Sequence, residues 1–555
     1  MSATFRPFAW PLVALALFAG VCANASADKK TACTITVNSA DEKEAFRRSL
    51  PKGQWEFVEL VERGRHDWLE SACRTGVRCD VLIISGHYDG GNEFFSDQIE
   101  AREFLPVDEM ERVSCSDSCP GLFSQLKEVY LFGCNTLNPQ ANASPSAEIG
   151  RSLVRAGFSR GDAERMTKSL AVRHAESSKD RMRLVFKDVP AIYGFSSVAP
   201  LGPIAGSILS RHLQASGTSE VGSGRVSGRL LGQFSAHAMA VTTGLTDRDP
   251  LAAHRRDVCQ FADDRLAPER KLAFVHELLK RETAEARMFL PRLERLAASL
   301  DDGELESPPI AAAMSAIAQD GTARSRYLDL ARDADSAAVR ARMVSLATKF
   351  GWLSPDDERA ELVRMFNEQL ASTAITPAEV DLACMLNKDG EFLPERDRLK
   401  VSPALAERVS HAAILACLGS PEGRERVLRA LTSPTQDDVK FAQVYLRHRP
   451  LDDRQELRSV MAEIARMNGG EAQVRALHAL SQHRLSDPES LTTLARLYPV
   501  ADSVGVQTAI AGILLRSEYR TIASPELVHT LRTRRLGNAS GQDAIDVLIR
   551  RMQSQ

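Results

Sequence analysis

Two short apolar runs limit the possible folds of this chain more than any other feature. Residues 80–85 read DVLIIS and residues 129–133 read VYLFG. Both runs are rich in β-branched or aromatic residues, are apolar at consecutive positions, and stop at a small residue. This pattern predicts strands that are buried on both faces, as in a parallel sheet. His87 follows the first run and Cys134 follows the second.

Strand and helix signals alternate around these two runs, apart from an irregular insertion between them. Strands separated by helices of this size imply right-handed crossovers and a mostly parallel sheet. We therefore predict an α/β domain over residues 28–215. The further strand signals lie at 34–37, 55–61 and 191–197, and the helix signals at 41–50, 66–73, 146–178 and 204–213.

The predicted sheet brings His87 and Cys134 into one crevice, because functional groups of open α/β sheets gather outside the carboxyl ends of the strands. A thiolate is the reactive form of cysteine, and a nearby imidazole can accept the thiol proton. The same imidazole can then protonate a leaving amine. The pair therefore indicates nucleophilic thiol catalysis.

The residues around this pair resemble the caspase-like superfamily of cysteine peptidases, which includes the CHAT, gingipain and clostripain branches. The matching motifs are Ser85-Gly86-His87 and Phe132-Gly133-Cys134-Asn135-Thr136, within roughly residues 30–215. Caspases carry their histidine about 50 residues before the cysteine, as here. The resemblance implies a caspase-like fold in which His87 is the general base and acid and Cys134 is the nucleophile.

The resemblance also suggests where the oxyanion would bind. The family usually has a glycine directly after the histidine, whereas this chain has Tyr88, with glycines following at Gly90 and Gly91. The backbone amide of residue 88 can still donate, so Tyr88, Gly90 and Gly133 are candidates for the oxyanion site or pocket.

The loop from Ser196 to Pro203 follows the last predicted strand of the sheet. Because it leaves a carboxyl strand end, Ser196 and Ser197 are candidates for lining the substrate pocket. A plain strand–helix connection is an equally good interpretation of this loop.

Residues 1–27 have the pattern of a secretory signal peptide. Arg6 supplies a positive charge, residues 12–21 form a short apolar core, and Ala25-Ser26-Ala27 is a small-residue cleavage site. Cys22 could suggest a lipoprotein signal, but Val21 before it fits one poorly. We therefore expect an exported protein, periplasmic or secreted, without an integral membrane segment after cleavage.

Export favours disulfides. Removal of Cys22 leaves an odd number of cysteines, so at least one stays unpaired, which fits Cys134. The close pairs Cys73 with Cys79 and Cys115 with Cys119 are the predicted disulfides.

The remaining cysteines have other predicted roles. Cys259 can tether its segment to the sheet domain, while Cys384 and Cys417 are expected in the core. No metal is predicted, because no cysteine or histidine partners stand at zinc spacing. We also expect no other cofactor.

The chain changes character after the first domain. Residues 216–260 are rich in Gly, Ser and Thr and predict a linker or an irregular extension of the sheet domain. Residues 261–555 carry only helix signals, and four helix starts share one form of capping residue, proline and acid, at 354, 420, 487 and 524. Their spacing is compatible with helix pairs of roughly 33–40 residues, which suggests a HEAT-like solenoid. An irregular helical domain is the alternative.

Charge excludes some partners. The formal net charge is −3, from 70 basic and 73 acidic residues, which does not indicate binding to nucleic acid. The sequence therefore predicts an exported cysteine-type endopeptidase that acts on a protein or peptide. The alternative is an inactive caspase-fold scaffold whose helical repeats bind a protein partner.

Overall fold

The computed structural model describes residues 29–60, 68–90, 92–97, 103–116, 119–140, 145–215, 217–390, 392–467, 470–481, 484–537 and 543–554. The predicted signal peptide, including Cys22, and also Gly91 lie outside these residues. The described chain forms two compact units. The first contains residues up to 140 together with 171–266, and the second contains 145–170 together with the residues from 267 onwards.

Strands and helices are mixed up to residue 262. In chain order they are β1 (Lys30–Thr36), α1 (Asp41–Ser49), β2 (Trp55–Glu59), α2 (Trp68–Arg74), β3 (Val81–Ser85), β4 (His87–Tyr88), β5 (Glu93–Phe95), β6 (Phe104–Pro106), α3 (Val107–Cys115), β7 (Glu128–Phe132), α4 (Pro145–Arg155), α5 (Arg160–Arg173), α6 (Ser178–Val185), β8 (Ala191–Phe195), α7 (Gly202–Ala215), α8 (Gly228–Gln233), β9 (Met239–Thr242) and α9 (Ala252–Ala262).

A six-stranded sheet forms the centre of the first unit, in the order β2-β1-β3-β7-β8-β9. Every neighbouring pair is parallel except β8 and β9. The predicted mostly parallel sheet is therefore confirmed. The central strands β3 and β7 are buried along their whole length, as their continuous apolar runs predicted.

The two faces of β3 and β7 pack into separate apolar cores. Leu82 and Leu131 point into one core, which includes Leu69, Met110 and Met182 from helices α2, α3 and α6. Ile83 and Tyr130 point into the other, which includes Phe46 and Leu209 from α1 and α7. Alternation along a strand thus sends neighbouring residues to opposite helical layers, which explains why neither face is polar.

The segment between the two central strands was expected to be irregular, and this is wrong in part. β4, β5 and β6 form a small antiparallel sheet in which His87 pairs with Phe95 and Phe94 pairs with Leu105. These strands are only two or three residues long, too short to give a clear alternating pattern. This hairpin carries the candidate residue His87.

Residues 217–262 hold regular structure within the first unit. Glu128, at the start of β7, is buried and accepts the backbone amides of Gly222, Ser223 and Gly224 at 2.9, 3.1 and 3.0 Å. Farther on, β9 adds an antiparallel edge to the sheet. Of the two interpretations of this region, the structure has the extension of the sheet domain.

Disulfides join cysteines in pairs that differ from the predicted ones. Cys33 pairs with Cys79, Cys73 with Cys119, and Cys115 with Cys259. The predicted pairs Cys73–Cys79 and Cys115–Cys119 are therefore wrong, because the fold brings residues far apart in sequence closer than residues in one loop. Cys259 does tether its segment to the sheet domain.

A fourth disulfide lies in the second unit. Cys384 and Cys417, expected as core thiols, are buried but bonded to each other. Four disulfides fit a chain that folds in an oxidising compartment.

From residue 267 onwards, the described regular elements of the second unit are all helices. They are α10 (Pro268–Lys280), α11 (Thr283–Met288), α12 (Leu290–Ser299), α13 (Asp302–Leu305), α14 (Pro308–Ala318), α15 (Gly321–Arg332), α16 (Ala337–Lys349), α17 (Pro355–Ala371), α18 (Pro377–Leu386), α19 (Pro403–Ala406), α20 (Val409–Cys417), α21 (Pro421–Ala430), α22 (Gln436–His448), α23 (Arg454–Ala465), α24 (Gly470–Leu480), α25 (Pro488–Leu497), α26 (Val504–Arg516), α27 (Pro525–Thr533) and α28 (Ala544–Gln553). Among the described helices, none has the length and apolarity required to cross a bilayer.

The four predicted helix starts in this unit are confirmed. Ser354, Ser420, Asp487 and Ser524 are the N-caps of α17, α21, α25 and α27, and each side chain accepts a backbone amide of the first turn. Such a cap stabilises a helix by about 1 kcal/mol. The capping residue satisfies an amide that has no partner within the helix, which is why this local signal predicted the boundary correctly.

Residues 145–170 belong to the second unit, although the sequence analysis assigned them to the sheet domain. The carboxylate of Glu148 is nearly buried, forms an ion pair with Arg287, and accepts the backbone amide of Asp335 at 2.8 Å. Helix α4 is thus fixed to the helical unit by a buried charge pair.

Candidate active site

His87 and Cys134 occupy corresponding positions at the ends of neighbouring parallel strands. Ser85 of β3 is paired in register with Phe132 of β7, and each functional residue comes two positions later. The Gly86 amide extends the ladder by donating to the Phe132 carbonyl oxygen at 3.1 Å. The carboxyl edge of the sheet therefore presents the imidazole and the thiol from adjacent strand ends.

Gly133 allows these two strand ends to approach each other closely. A Cβ atom at this position would lie 2.9 Å from the carbonyl oxygen of Gly86 and 3.0 Å from the Cβ atom of Tyr88. Real Cβ atoms do not make contacts this short with backbone. The residue before the candidate nucleophile is therefore required to be glycine by packing against the strand that carries His87.

The imidazole of His87 is held on the hairpin beside an aspartate. Its Nε2 atom lies 3.4 Å from Oδ2 of Asp97, and its ring lies 5.5 Å from the ring of Phe95. The His87 side chain is about one-third exposed, at 32%, whereas Asp97 is 69% exposed. A carboxylate beside an imidazole nitrogen can orient the ring and favour one tautomer.

Asp97 was missed by the sequence analysis. Its place beside His87 follows from the β4–β5 pairing. That pairing sets Phe95 opposite His87, and Asp97 comes two positions after Phe95, in the direction that returns a strand's side chains to the same face. Two-residue pairing of this kind leaves almost no trace in the sequence.

Cys134 is the free cysteine of the described chain, and it is partly exposed. Its Sγ accepts a hydrogen bond from the backbone amide of Ala199 at 3.4 Å. An amide that donates to sulfur stabilises the thiolate more than the thiol. The loop after β8 therefore supplies a polar contact to the sulfur of Cys134.

The backbone after Cys134 is firmly held at the end of β8. Asn135 has a left-handed conformation, with φ 59°, and donates its amide to the carbonyl oxygen of Ser197 at 2.8 Å. Buried Thr136 accepts the amide of Phe195 at 3.0 Å. Asparagine tolerates this conformation better than most residues, and such outliers often mark functional sites.

The predicted oxyanion and pocket residues fall into two groups. Gly133 and Ser197 form the first group, which adjoins Cys134. Gly133 precedes Cys134 in the chain, and the carbonyl oxygen of Ser197 accepts the amide of Asn135, the residue after Cys134. Tyr88 has its ring in the core, where burial raises the pKa of its hydroxyl to about 12. Only the backbone of Tyr88 is thus available for an oxyanion.

Gly90 and Ser196 have structural contacts. Gly90 has φ 89° in the hairpin turn, and its carbonyl oxygen accepts Ser178 Oγ at 2.9 Å. The left-handed conformation explains the glycine, because other residues adopt it only with strain. Ser196 Oγ donates to the carbonyl oxygen of Ala238 at 3.2 Å, which ties the pocket loop to the segment before β9.

No metal cluster of three or more His, Cys, Asp or Glu side chains is present within the described ranges. Comparison with known proteins gives no relative: no family model, no curated protein and no solved structure matches this chain. The functional interpretation of the site therefore depends on its own residues and geometry.

Proposed function

We propose that this chain is a cysteine-type endopeptidase in which Cys134 is the nucleophile and His87 is the general base and acid. The main support is the β3–β7 register, which sets the two residues at corresponding positions on adjacent strand ends. A second support is the chemical state of Cys134, since every other cysteine in the described residues is in a disulfide.

In the proposed reaction, His87 accepts the thiol proton and Sγ attacks the carbonyl carbon of the scissile peptide bond. The developing oxyanion is stabilised by backbone amides near Tyr88 and Cys134. His87 then gives its proton to the departing amine, leaving a thioester on Cys134. Water hydrolyses the thioester with His87 again acting as base, which regenerates the thiol.

The remaining residues of the site have supporting roles in this proposal. The Ala199 amide, 3.4 Å from Sγ, stabilises the thiolate. Asp97, 3.4 Å from Nε2 of His87, orients the imidazole. Ser196 and Ser197 belong to the loop that borders the substrate.

The proposal extends to the fold and location of the whole chain. We infer a caspase-like sheet domain, followed from residue 267 by HEAT-like helical repeats that bind a protein partner or substrate. Four disulfides support export to the periplasm or the exterior. The peptidase needs no cofactor for the steps given above.

A catalytically inactive scaffold is the second candidate, and one observation favours it. Within the described residues, the polar contact of the His87 ring is with Asp97, and that of Sγ is with Ala199 rather than with the imidazole. In the peptidase proposal, the imidazole and the thiol come together when substrate binds, as catalytic hydrogen bonds often do.

Alkylation of the oxidised, full-length protein tests the proposal. Within residues 28–555, where the other cysteines are in disulfides, iodoacetamide at neutral pH should label Cys134 alone, as read by mass spectrometry of the digest. We expect Cys134→Ala to abolish casein hydrolysis and His87→Ala to lower it by about 100-fold or more, with slower labelling. Circular dichroism should stay unchanged.

His448→Ala is the matched control, because His448 Nε2 lies 2.8 Å from Oδ1 of Asp381 in the second unit. It removes a histidine paired with an aspartate but leaves the site alone, so hydrolysis should be retained. Wild-type turnover by Cys134→Ala or His87→Ala would overturn the proposal. Labelling that does not depend on His87, with no hydrolysis, would favour the inactive scaffold.

A further inference from the structure

The chain segments that adjoin the candidate nucleophile carry no charge. Residues 129–140, which contain Cys134, and residues 189–210, which contain Ala199, include no Asp, Glu, Lys, Arg or His. These two segments meet at the thiol through the Ala199–Cys134 and Asn135–Ser197 hydrogen bonds. The two segments that form this side of the site, at the ends of β7 and β8, therefore contain no charged side chain.

This side also exposes large apolar side chains. Val198 and Leu201 are 70% and 66% exposed, and they flank Ala199, whose amide contacts Sγ. Ile204, in the first turn of α7, is 49% exposed. Exposed apolar residues that cluster beside a reactive group mark a binding surface, because covering them releases about 25 cal/mol per Å².

The loop that carries Val198 and Leu201 is fixed at both ends. At its start, the Ser196 hydroxyl donates a hydrogen bond to the carbonyl oxygen of Ala238, and the Ser197 carbonyl oxygen accepts one from the Asn135 amide. At its end, Gly202 packs so closely on Ser39 that a Cβ atom would lie 2.6 Å from the Ser39 Cβ atom. A held loop presents its apolar side chains in one arrangement, which favours selective binding.

We infer that the site accepts a polypeptide with an uncharged, apolar side chain immediately before the scissile bond, such as leucine or valine. The inference depends on the proposed peptidase function and names its substrate class. The occupant is an extended peptide, because its carbonyl carbon must reach Cys134 while the neighbouring side chain covers Val198 and Leu201.

Charged side chains are disfavoured at this position by desolvation. An arginine, lysine or aspartate placed against Val198 and Leu201 would lose water without gaining a counter-charge from residues 189–210. Asp97, the carboxylate that contacts His87, follows β5 of the hairpin and is not part of the loop after β8.

A polar cleft near the start of α7 is the competing location for a charged substrate group. Its volume is about 610 Å³, and it is lined by Asp41, Glu44, Arg48 and Ser207, among others. Both charge signs are present, and Asp41 already accepts a hydrogen bond from Ser39 at 2.8 Å. Preference for a basic residue would point to this cleft instead.

Peptide substrates that differ only in the residue before a fluorogenic leaving group test the inference. On the oxidised, full-length protein, we expect kcat/KM for leucine and valine substrates to exceed that for arginine, lysine and aspartate substrates by at least about 100-fold. Equal or better cleavage after a charged residue overturns the inference about the substrate. In that case, alkylation of Cys134 that depends on His87 would still support the peptidase proposal. Failure to cleave any member, with alkylation independent of His87, overturns both.

Two variants connect the selectivity to the apolar surface. Val198→Asp and Leu201→Asp should each lower kcat/KM for the leucine substrate by about tenfold or more, mainly through KM. Alkylation of Cys134 should still depend on His87 in both variants. Val172→Asp, at a valine that is also 70% exposed but lies on α5, is the matched control and should leave cleavage unchanged. Unchanged selectivity in both site variants overturns the inference.

Discussion

A Cβ atom on Gly133 would lie 2.9 Å from the carbonyl oxygen of Gly86, so the backbones that carry Cys134 and His87 are in direct contact. The absence of a side chain at Gly133 thus allows the strand ends that carry His87 and Cys134 to approach each other this closely. Because Tyr88 Cβ is also only 3.0 Å from that point, a side chain here would press on both sides of His87.

Gly133→Ala should therefore damage stability and activity together. We expect it to lower the free energy of unfolding by about 1–3 kcal/mol, the usual cost of overpacking, and to reduce turnover by displacing the His87 strand. Gly53→Ala is the control, because a Cβ atom there has nothing within 4 Å. Urea denaturation compares the two, and equal stabilities would contradict the close packing.

Asp97→Asn tests whether the aspartate positions the imidazole. Because Asp97 is 69% exposed, its effect should resemble that of a surface ion pair, so kcat should fall by about two- to fivefold while KM is unchanged. Asp247→Asn is the control, since Asp247 is an exposed aspartate 2.8 Å from Lys187. A wild-type kcat for Asp97→Asn would remove this residue from the site.

The sequence predicted those parts of the fold that depend on neighbouring residues. The apolar runs of β3 and β7 and the caps Ser354 and Asp487 act within a few positions, so their patterns are readable without the fold. The strand order then placed His87 and Cys134 on one edge, as the general rule for parallel sheets predicts.

The features that escaped prediction depend on contacts between distant residues. Cys33–Cys79 and Cys115–Cys259 are set by tertiary structure, which sequence spacing does not encode. Asp97 needs the β4–β5 pairing, and that pairing involves only two residues of β4. The peptidase function and the caspase-like resemblance stay predictions that the experiments above test.

Glu128→Gln should loosen the segment that follows α7. The buried carboxylate accepts three backbone amides from residues 222–224 and the hydroxyl of Tyr130 at 2.7 Å. Hydrogen bonds to a charged group contribute about 1.5–3 kcal/mol each, and glutamine keeps only one acceptor oxygen. We expect a loss of about 2 kcal/mol or more in unfolding free energy and faster tryptic cleavage after exposed Arg225.

Glu70→Gln provides the comparison for Glu128→Gln. Glu70 forms a solvent-exposed ion pair with Arg74 at 2.7 Å, four positions along α2. Such pairs contribute about 1 kcal/mol or less. Tryptic cleavage after Arg225 that is equally slow in wild type and Glu128→Gln would show that the carboxylate does not hold this segment.

The pH dependence of stability should identify a buried carboxyl beneath the sheet edge. Glu42, in the first turn of α1, is only 3% exposed, and burial raises its pKa from 4.5 to about 7. The folded state therefore binds a proton that the unfolded state releases, so this contribution to stability is complete below pH 4.5 and is lost as the pH rises through about 7. A shift of this size corresponds to a loss on the order of 3 kcal/mol.

Glu42→Gln cannot ionise, so its unfolding free energy should fall less than that of wild type between pH 4.5 and 8. Glu44→Gln, in the same helix turn, controls for the helix dipole and should follow the wild-type curve. Parallel curves for wild type and Glu42→Gln, measured by denaturant unfolding at each pH, would show that this carboxyl is not protonated in the folded protein.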